Sequence, residues 1–104
     1  MKKKYIVKEN KDFKAIMDKG ICKKNKSFVI YSIKNELLYN RYGISVSKKL
    51  GNAVFRNKYK RKIRAIIDSY KKNYNYGRDY IIILRKGAIE KSYDNLKEDY
   101  IQLI

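Results

Sequence analysis

Apolar and polar residues along the 104-residue chain follow two different periods, and the changes of period mark the elements. After Asn10, a residue suited to an N-cap, Phe13, Ile16 and Met17 recur at helical spacing, and Gly20 suits the end of that helix. From Ser27 the pattern turns β-rich in "SFVIYSI"; "NELLYN" then reads as a turn and "RYGISVS" as a second strand. In that strand Tyr42, Ile44 and Val46 alternate with smaller residues, the period of a sheet with one buried face. Gly51 ends the strand region and Asn52 is a good N-cap, so the spacing predicts a helix to about Tyr70 or Asn73, closed by "NYNYG". "DYIIILR" carries the unbroken apolar run expected of a strand covered on both faces. Ser92 caps a last helix on which Tyr93, Leu96, Tyr100 and Leu103 fall at helical spacing.

The order is α-β-β-(β)-α-β-α, with the optional short strand around Ile21 to Lys24. An α/β (α+β) sandwich is the simplest packing: one small mixed sheet of three to four strands with helices against it. No repeat, proline-rich linker or low-complexity tail divides the chain, and its length suits one core, so residues 1–104 read as a single domain.

Charge changes this picture from a generic fold to one with a partner. Lys and Arg number 27 against 10 acids, a net charge of +17, which calls for a polyanion and destabilises the isolated fold by self-repulsion. Lys, Asn, Ile and Tyr all use A/T-rich codons, so codon bias accounts for some Lys and the Arg positions carry more weight. The stretch "GNAVFRNKYKRKIRAII" holds Arg56, Lys58, Lys60, Arg61, Lys62 and Arg64 with no acid between Glu36 and Asp68. On a wheel of about 100° per residue, Phe55, Tyr59, Ile63, Ile66, Ile67 and Tyr70 share an arc of about 120°. Asn57, Lys60, Arg61 and Arg64 gather opposite, flanked by Lys58 and Lys62. A merely solvated face usually mixes signs, as the last helix does with Asp94, Glu98 and Asp99 beside Lys97. Here cations lie at i, i+3 and i+4 unopposed, several of them Arg suited to bidentate phosphate contact.

Nucleic acid is the first candidate. A DNA-reading helix-turn-helix needs a short helix just upstream, whereas strands precede this one. RNA fits better, because Phe13, Phe28, Tyr31 and Tyr42 are aromatic residues on which single-stranded bases could stack, although each also suits a core. Phe28 and Tyr31 point to opposite faces of their strand. Cys22 has no partner for an internal disulfide and reads as a half-buried reduced thiol. The basic start lacks the apolar stretch of a signal peptide, and "YIIIL" is far too short to span a bilayer, so the chain reads as soluble and cytoplasmic.

"GISVSKKLGNAVFRNKYKRKIR", Gly43 to Arg64, resembles the signature of the bacterial ribonuclease P protein component: V-S-K-K, then G-N-A-V, then the R-N-R-x-K-R-x-x-R helix. "NKDFKAIMDKG", "FVIY" and "DYIIILRK" resemble the family's first helix, early strand and late strand, so the resemblance covers nearly the whole chain. It implies a holoenzyme that removes the 5′ leader of precursor tRNA by hydrolysing one phosphodiester bond. It also implies a catalytic ribonuclease P RNA that uses bound Mg2+, a protein that binds this RNA and the leader, and a left-handed β-α-β crossover. One protein monomer per RNA is the expected assembly. No catalytic residue and no metal ligand are expected in the protein. Zero histidines exclude the histidine acid–base pair of many metal-independent ribonucleases, and no two-metal carboxylate cluster is evident.

Carried over by position, the resemblance places Arg56, Asn57, Lys58, Lys60, Arg61 and Arg64 beside the catalytic RNA and the leader, with Lys48 and Lys49 at the approach. It places Phe13, Met17, Val29 and Tyr31 in a leader cleft between the first helix and the sheet. Lys58 stands at the second Arg of the triplet, keeping the charge and losing the fork. Met17 stands where the family often has an aromatic, a softer surface for a base. Two rivals share part of the pattern. A generic RNA-binding module such as a ribosomal protein has the charge without the GNAV-RN spacing, and a membrane-surface helix would need the apolar stripe that the core claims.

Overall fold

A computed structural model describes residues 2–70 and 77–104. The elements run α1 (Asn10–Lys19), β1 (Ile21–Lys24), β2 (Phe28–Lys34), β3 (Arg41–Ser45), α2 (Ala53–Ser69), β4 (Arg78–Leu84) and α3 (Tyr93–Leu103). The optional strand is therefore real. The sheet order is β1-β2-β4-β3, antiparallel except for the parallel pair β3 and β4, which α2 connects. The expected extension of α2 to Asn73 and its "NYNYG" closure lie outside the described residues; α2 ends at Ser69 with Tyr70 as its C-cap.

Strand alternation sorts the core into two layers. Phe28 and Ile30 of β2, Tyr42 of β3, and Tyr80, Ile82 and Leu84 of β4 face α2 and α3. They meet Tyr59, Ile63, Ile66 and Ile67 of α2 and Leu96 and Tyr100 of α3, each 6% exposed or less. The predicted stripe of α2 is thus the buried one, with Phe55 and Tyr70 at its margins. On α3, Tyr93 departs from the predicted stripe: the first residue of the helix, it is 39% exposed. On the other face of the sheet α1 is the one helix among the described residues: its Ile16 and Val7 of the segment before it pack on Ile81, with Phe13, Tyr31, Ile33 and Ile83 half-buried around them. β4 is an interior strand with both faces used, which explains its unbroken apolar run.

α1 begins one residue earlier than its sequence suggests. Glu9, not Asn10, is the N-cap, and no side chain caps it. The preceding segment fixes the entry instead: Val7 is buried and its N–H donates to the Tyr42 carbonyl at 2.9 Å, and Ile6 bridges β3. Tertiary pairing has overridden a local cap. The two other predicted caps hold, with the Asn52 side chain accepting from Phe55 N at 3.0 Å and that of Ser92 from Asn95 N at 3.1 Å.

Two polar clusters fasten the ends of the sheet. Asp79, 5% exposed, accepts from Arg41 Nε at 2.9 Å, Arg41 Nη2 at 2.6 Å and Asn35 Nδ2 at 2.7 Å. This pairs the buried carboxylate and braces the β2–β3 turn; removing one partner of such a pair costs about 3–5 kcal/mol. At the other end Asp99 of α3 accepts from Ser27 Oγ and from Lys91 Nζ, the latter at 2.6 Å. Burial alone would push the Asp99 carboxyl up, but these two hydrogen bonds and the Lys91 charge outweigh it and hold it below the ordinary aspartate value.

Candidate nucleic-acid interface

α2 positions its cations by burying its other side. Asn57, Lys58, Arg61 and Arg64 are exposed, while Arg56, Lys60 and Lys62 are half-buried with their stems against the fold. Lys62 Nζ lies 4.8 Å from the Tyr59 ring centroid, a cation–π contact that leaves it turned toward the helix. Lys48 and Lys49 occupy a single 3-10 turn before α2, ordered by the Ser47 hydroxyl accepting from Lys49 N at 3.2 Å and by Leu50 packing inward. The described ion pairs join Lys11 to Glu9, Arg41 to Asp79 and Lys91 to Asp99, so none of them engages Arg56, Lys58, Lys60, Arg61 or Arg64. Their charge is uncompensated by those acids, and that of Lys58, Arg61 and Arg64 is exposed.

Arg56 differs from its neighbours. Its Nε is buried and has no hydrogen-bond acceptor, the one such orphan among the described side chains. An unsatisfied buried donor costs about 1–3 kcal/mol, more for a charged group. A cation retained at that cost is held for something other than the stability of the free chain.

The four predicted cleft residues come together on the α1 face of the sheet. Phe13 and Tyr31 belong to one cluster, Val29 lies two residues from Tyr31 on the same face of β2, and Met17, 39% exposed, follows Phe13 by one turn. Two of the aromatics named as stacking platforms do not qualify. Phe28 is 0% and Tyr42 4% exposed, both on the α2 face, where Tyr42 stacks on Tyr80 at 5.4 Å and 10°.

Several features in and around this surface are not legible in the sequence. Gly43 is one: a Cβ there would lie 2.5 Å from Phe13 Cζ and 2.9 Å from Ile81 Cδ1, so the bare backbone is what lets the Phe13 ring lie across β3. Cys22 is another. It is exposed rather than half-buried, because β1 is an edge strand, and the register sets it opposite Tyr31. The hydrogen bond between the phenol and this thiol raises the Tyr31 pKa, with the Coulombic effect of Cys22 and some desolvation adding to it. Tyr31 is therefore a neutral O–H donor at physiological pH. A third is a cleft at the β3 edge, lined by Ile6, Val7, Tyr42 and Ile44, closed on one side by Phe13 and on the other by Lys60 and Arg64. A period-2 pattern marks Ile44 as core and gives no hint that its edge is open.

A small mixed sheet with a cation-lined helix on one face and a trough of half-buried aromatic and aliphatic residues beside α1 on the other defines a basic α/β protein whose surfaces suit a polyanion. The whole chain, residues 1–104, matches the Ribonuclease P family. It is 43% identical over 104 residues to the ribonuclease P protein component of Bacillus cereus, covering 99% of this chain and 90% of that one. The structure superposes on the Staphylococcus aureus RNase P protein with a TM-score of 0.86 at 40% identity, covering 95% of this chain and 91% of that one. With the Thermotoga maritima RNase P protein the TM-score is 0.87 at 32% identity, over 93% and 92% of the two chains. The chain belongs to the bacterial ribonuclease P protein component family, the protein part of the ribonuclease P complex of tRNA processing.

Proposed function

We propose that this chain docks the catalytic RNA of ribonuclease P through α2 and holds the 5′ leader of precursor tRNA in the trough under α1. The leader is then removed by hydrolysis of one phosphodiester bond. The observation that carries this reading is the pairing of two surfaces: five α2 cations outside the described ion pairs, and, on the opposite face of the sheet, a trough lined by half-buried Phe13 and Tyr31.

Arg56, Asn57, Lys58, Lys60, Arg61 and Arg64, approached by Lys48 and Lys49, hold phosphates and lower the repulsion between two RNA chains. Lys58 contributes charge alone, whereas Arg61 and Arg64 can each grip one phosphate with two N–H groups. Phe13, Val29, Tyr31 and Met17 offer the leader ring faces, an apolar floor and one phenolic donor. Among the described residues no group of three His, Cys, Asp or Glu is arranged to hold a metal ion. The Mg2+ that supplies the hydrolytic chemistry is assigned to the RNA, as the family resemblance implies, and no catalytic role to this chain. The assembly is one protein with one RNA, in the cytoplasm; no described helix is long and apolar enough to cross a membrane.

The test is cleavage of a precursor tRNA by a bacterial ribonuclease P RNA at low Mg2+, with and without the protein. Restored cleavage at the mature 5′ end, with no activity from protein alone, supports the proposal. Tight RNA binding without restored cleavage refutes it in favour of a generic RNA-binding module.

A further inference from the structure

The cleft at the β3 edge is separate from the leader trough, although Phe13 borders both. Its empty space, about 360 Å3 counting the open solvent at its mouth, makes it a shallow surface cleft rather than an enclosed pocket, so an occupant would lie against it with one side in water. β3 is an edge strand, and the chain's own N-terminal segment covers only part of that edge. The Tyr42 carbonyl accepts from Val7 N, and the bridge at Ile6 and Tyr42 is isolated. Strand alternation turns the N–H and C=O of the next outward residue, Ile44, to the same side. Among the described residues no backbone hydrogen bond meets them there.

A donor and an acceptor thus lie side by side over an apolar floor, between a phenyl ring and two cations. Each element matches a part of an unstacked nucleotide. The ring takes a base face, the paired N–H and C=O take the adjacent acceptor and donor on a base edge, and Lys60 and Arg64 take the flanking phosphates. A peptide adding to the same edge would find one free residue before β3 ends at Ser45, too little ladder to hold it. Lys60 and Arg64 belong to the helix assigned to the catalytic RNA, and Phe13 stands between this cleft and the surface assigned to the leader. We propose that the cleft takes one unstacked base of the ribonuclease P RNA, fixing the register in which α2 lies along it. This inference rests on the docking reading of α2.

The experiment is a nucleotide-resolution chemical footprint on a bacterial ribonuclease P RNA, paired with its affinity for the protein, for wild type, Ile6→Trp and Ile44→Pro. Ile6→Trp fills the cleft from its solvent side. Ile44→Pro removes the outward N–H and spares the ladder to β4, as proline does on edge strands. The expected result is one unpaired nucleotide protected by wild type and released by both variants, with affinity about 5- to 100-fold weaker, the worth of one stacked base. Circular dichroism of each variant establishes that it is folded; if Ile44→Pro misfolds, Ile6→Trp alone decides the outcome. Unchanged footprint and affinity in the folded variants overturns the inference while leaving the docking of α2 intact. A loss confined to precursor tRNA binding overturns it in favour of the leader. No wild-type footprint anywhere on the RNA refutes the docking reading, and this inference with it.

Discussion

Gly43→Ala is the sharpest way to separate the leader trough from the docking helix. The backbone at Gly43 is ordinary strand, so the substitution acts only through the new methyl group. That methyl would stand 2.5 Å and 3.0 Å from Phe13 Cζ and Cε1 and 2.9 Å from Ile81 Cδ1. Ordinary contact begins near 3.4 Å, so the ring must retreat by about 1 Å while Ile81, fully buried, has nowhere to go. Overpacking of this kind costs about 1–3 kcal/mol, a fall in Tm of roughly 5–20 °C for a domain of this size. The functional effect should be selective, because no docking cation of α2 contacts Gly43 at this distance. The assay measures holoenzyme affinity for precursor tRNA with a long leader and with a one-nucleotide leader, below the Tm of the variant. The long-leader advantage should shrink several-fold while the salt slope of ribonuclease P RNA binding, which the α2 cations set, holds. Adding Phe13→Leu, whose side chain stops short of the methyl, should recover part of the lost stability. A variant that melts with wild type and keeps its leader advantage would show that Phe13 does not lie across Gly43.

Three further outcomes test the docking helix and the α3 anchor. Arg56→Met removes an orphaned buried Nε and should raise the Tm of the free protein by several degrees, about 1 kcal/mol or more, while weakening RNA binding; a lower Tm would show that the guanidinium is satisfied in solution. RNA affinity should fall with salt at a log–log slope approaching about −5 if all seven cations from Lys48 to Arg64 in the assigned set meet phosphates, and Arg64→Ala should flatten it by about 0.7; a slope near zero sinks the docking reading. Asp99, held below its ordinary value, adds stability that is complete above the unfolded aspartate pKa of about 3.9 and is lost as pH falls through the lower folded value. Asp99→Asn should therefore cost about 1–3 kcal/mol at pH 7, with the gap to wild type narrowing as pH falls below about 4 in urea titrations; a constant gap would contradict the assignment.

What was legible in the sequence was whatever a single element decides. The stripe of α2, the caps Asn52 and Ser92, and the doubly covered β4 each follow from spacing within about twenty residues. The features that differ from expectation depend on contacts between distant segments. Asn10 looks like a cap because the pairing of Val7 with Tyr42 cannot be seen locally. Cys22 looks half-buried until β1 is known to be an edge strand. Phe28 and Tyr42 look like stacking platforms because an aromatic in a strand gives no sign of which face is covered by two helices and which by one. The resemblance to the ribonuclease P protein family supplied the cleft residues, and the sheet register explains why they converge.

That difference in coverage is also how a chain of net charge +17 can both fold and bind. The two-helix face takes most of the apolar surface: every α2 residue it claims is 6% exposed or less, leaving α2 free to carry cations on its remaining arc without loss of core. The one-helix face is left incomplete, with Tyr31, Ile33 and Ile83 half-buried, and this shortfall is the trough. Covering it with a second helix would add burial at about 25 cal/mol per Å2 and would close the surface to RNA. Like charges three and four residues apart on α2 each cost a few tenths of a kcal/mol in the free protein, a strain that bound phosphates would relieve under the proposed docking. Sulfate should therefore raise the Tm above that in chloride at matched ionic strength, most in wild type and least in Arg61→Ala/Arg64→Ala. Equal shifts in both proteins would place the anions somewhere other than α2.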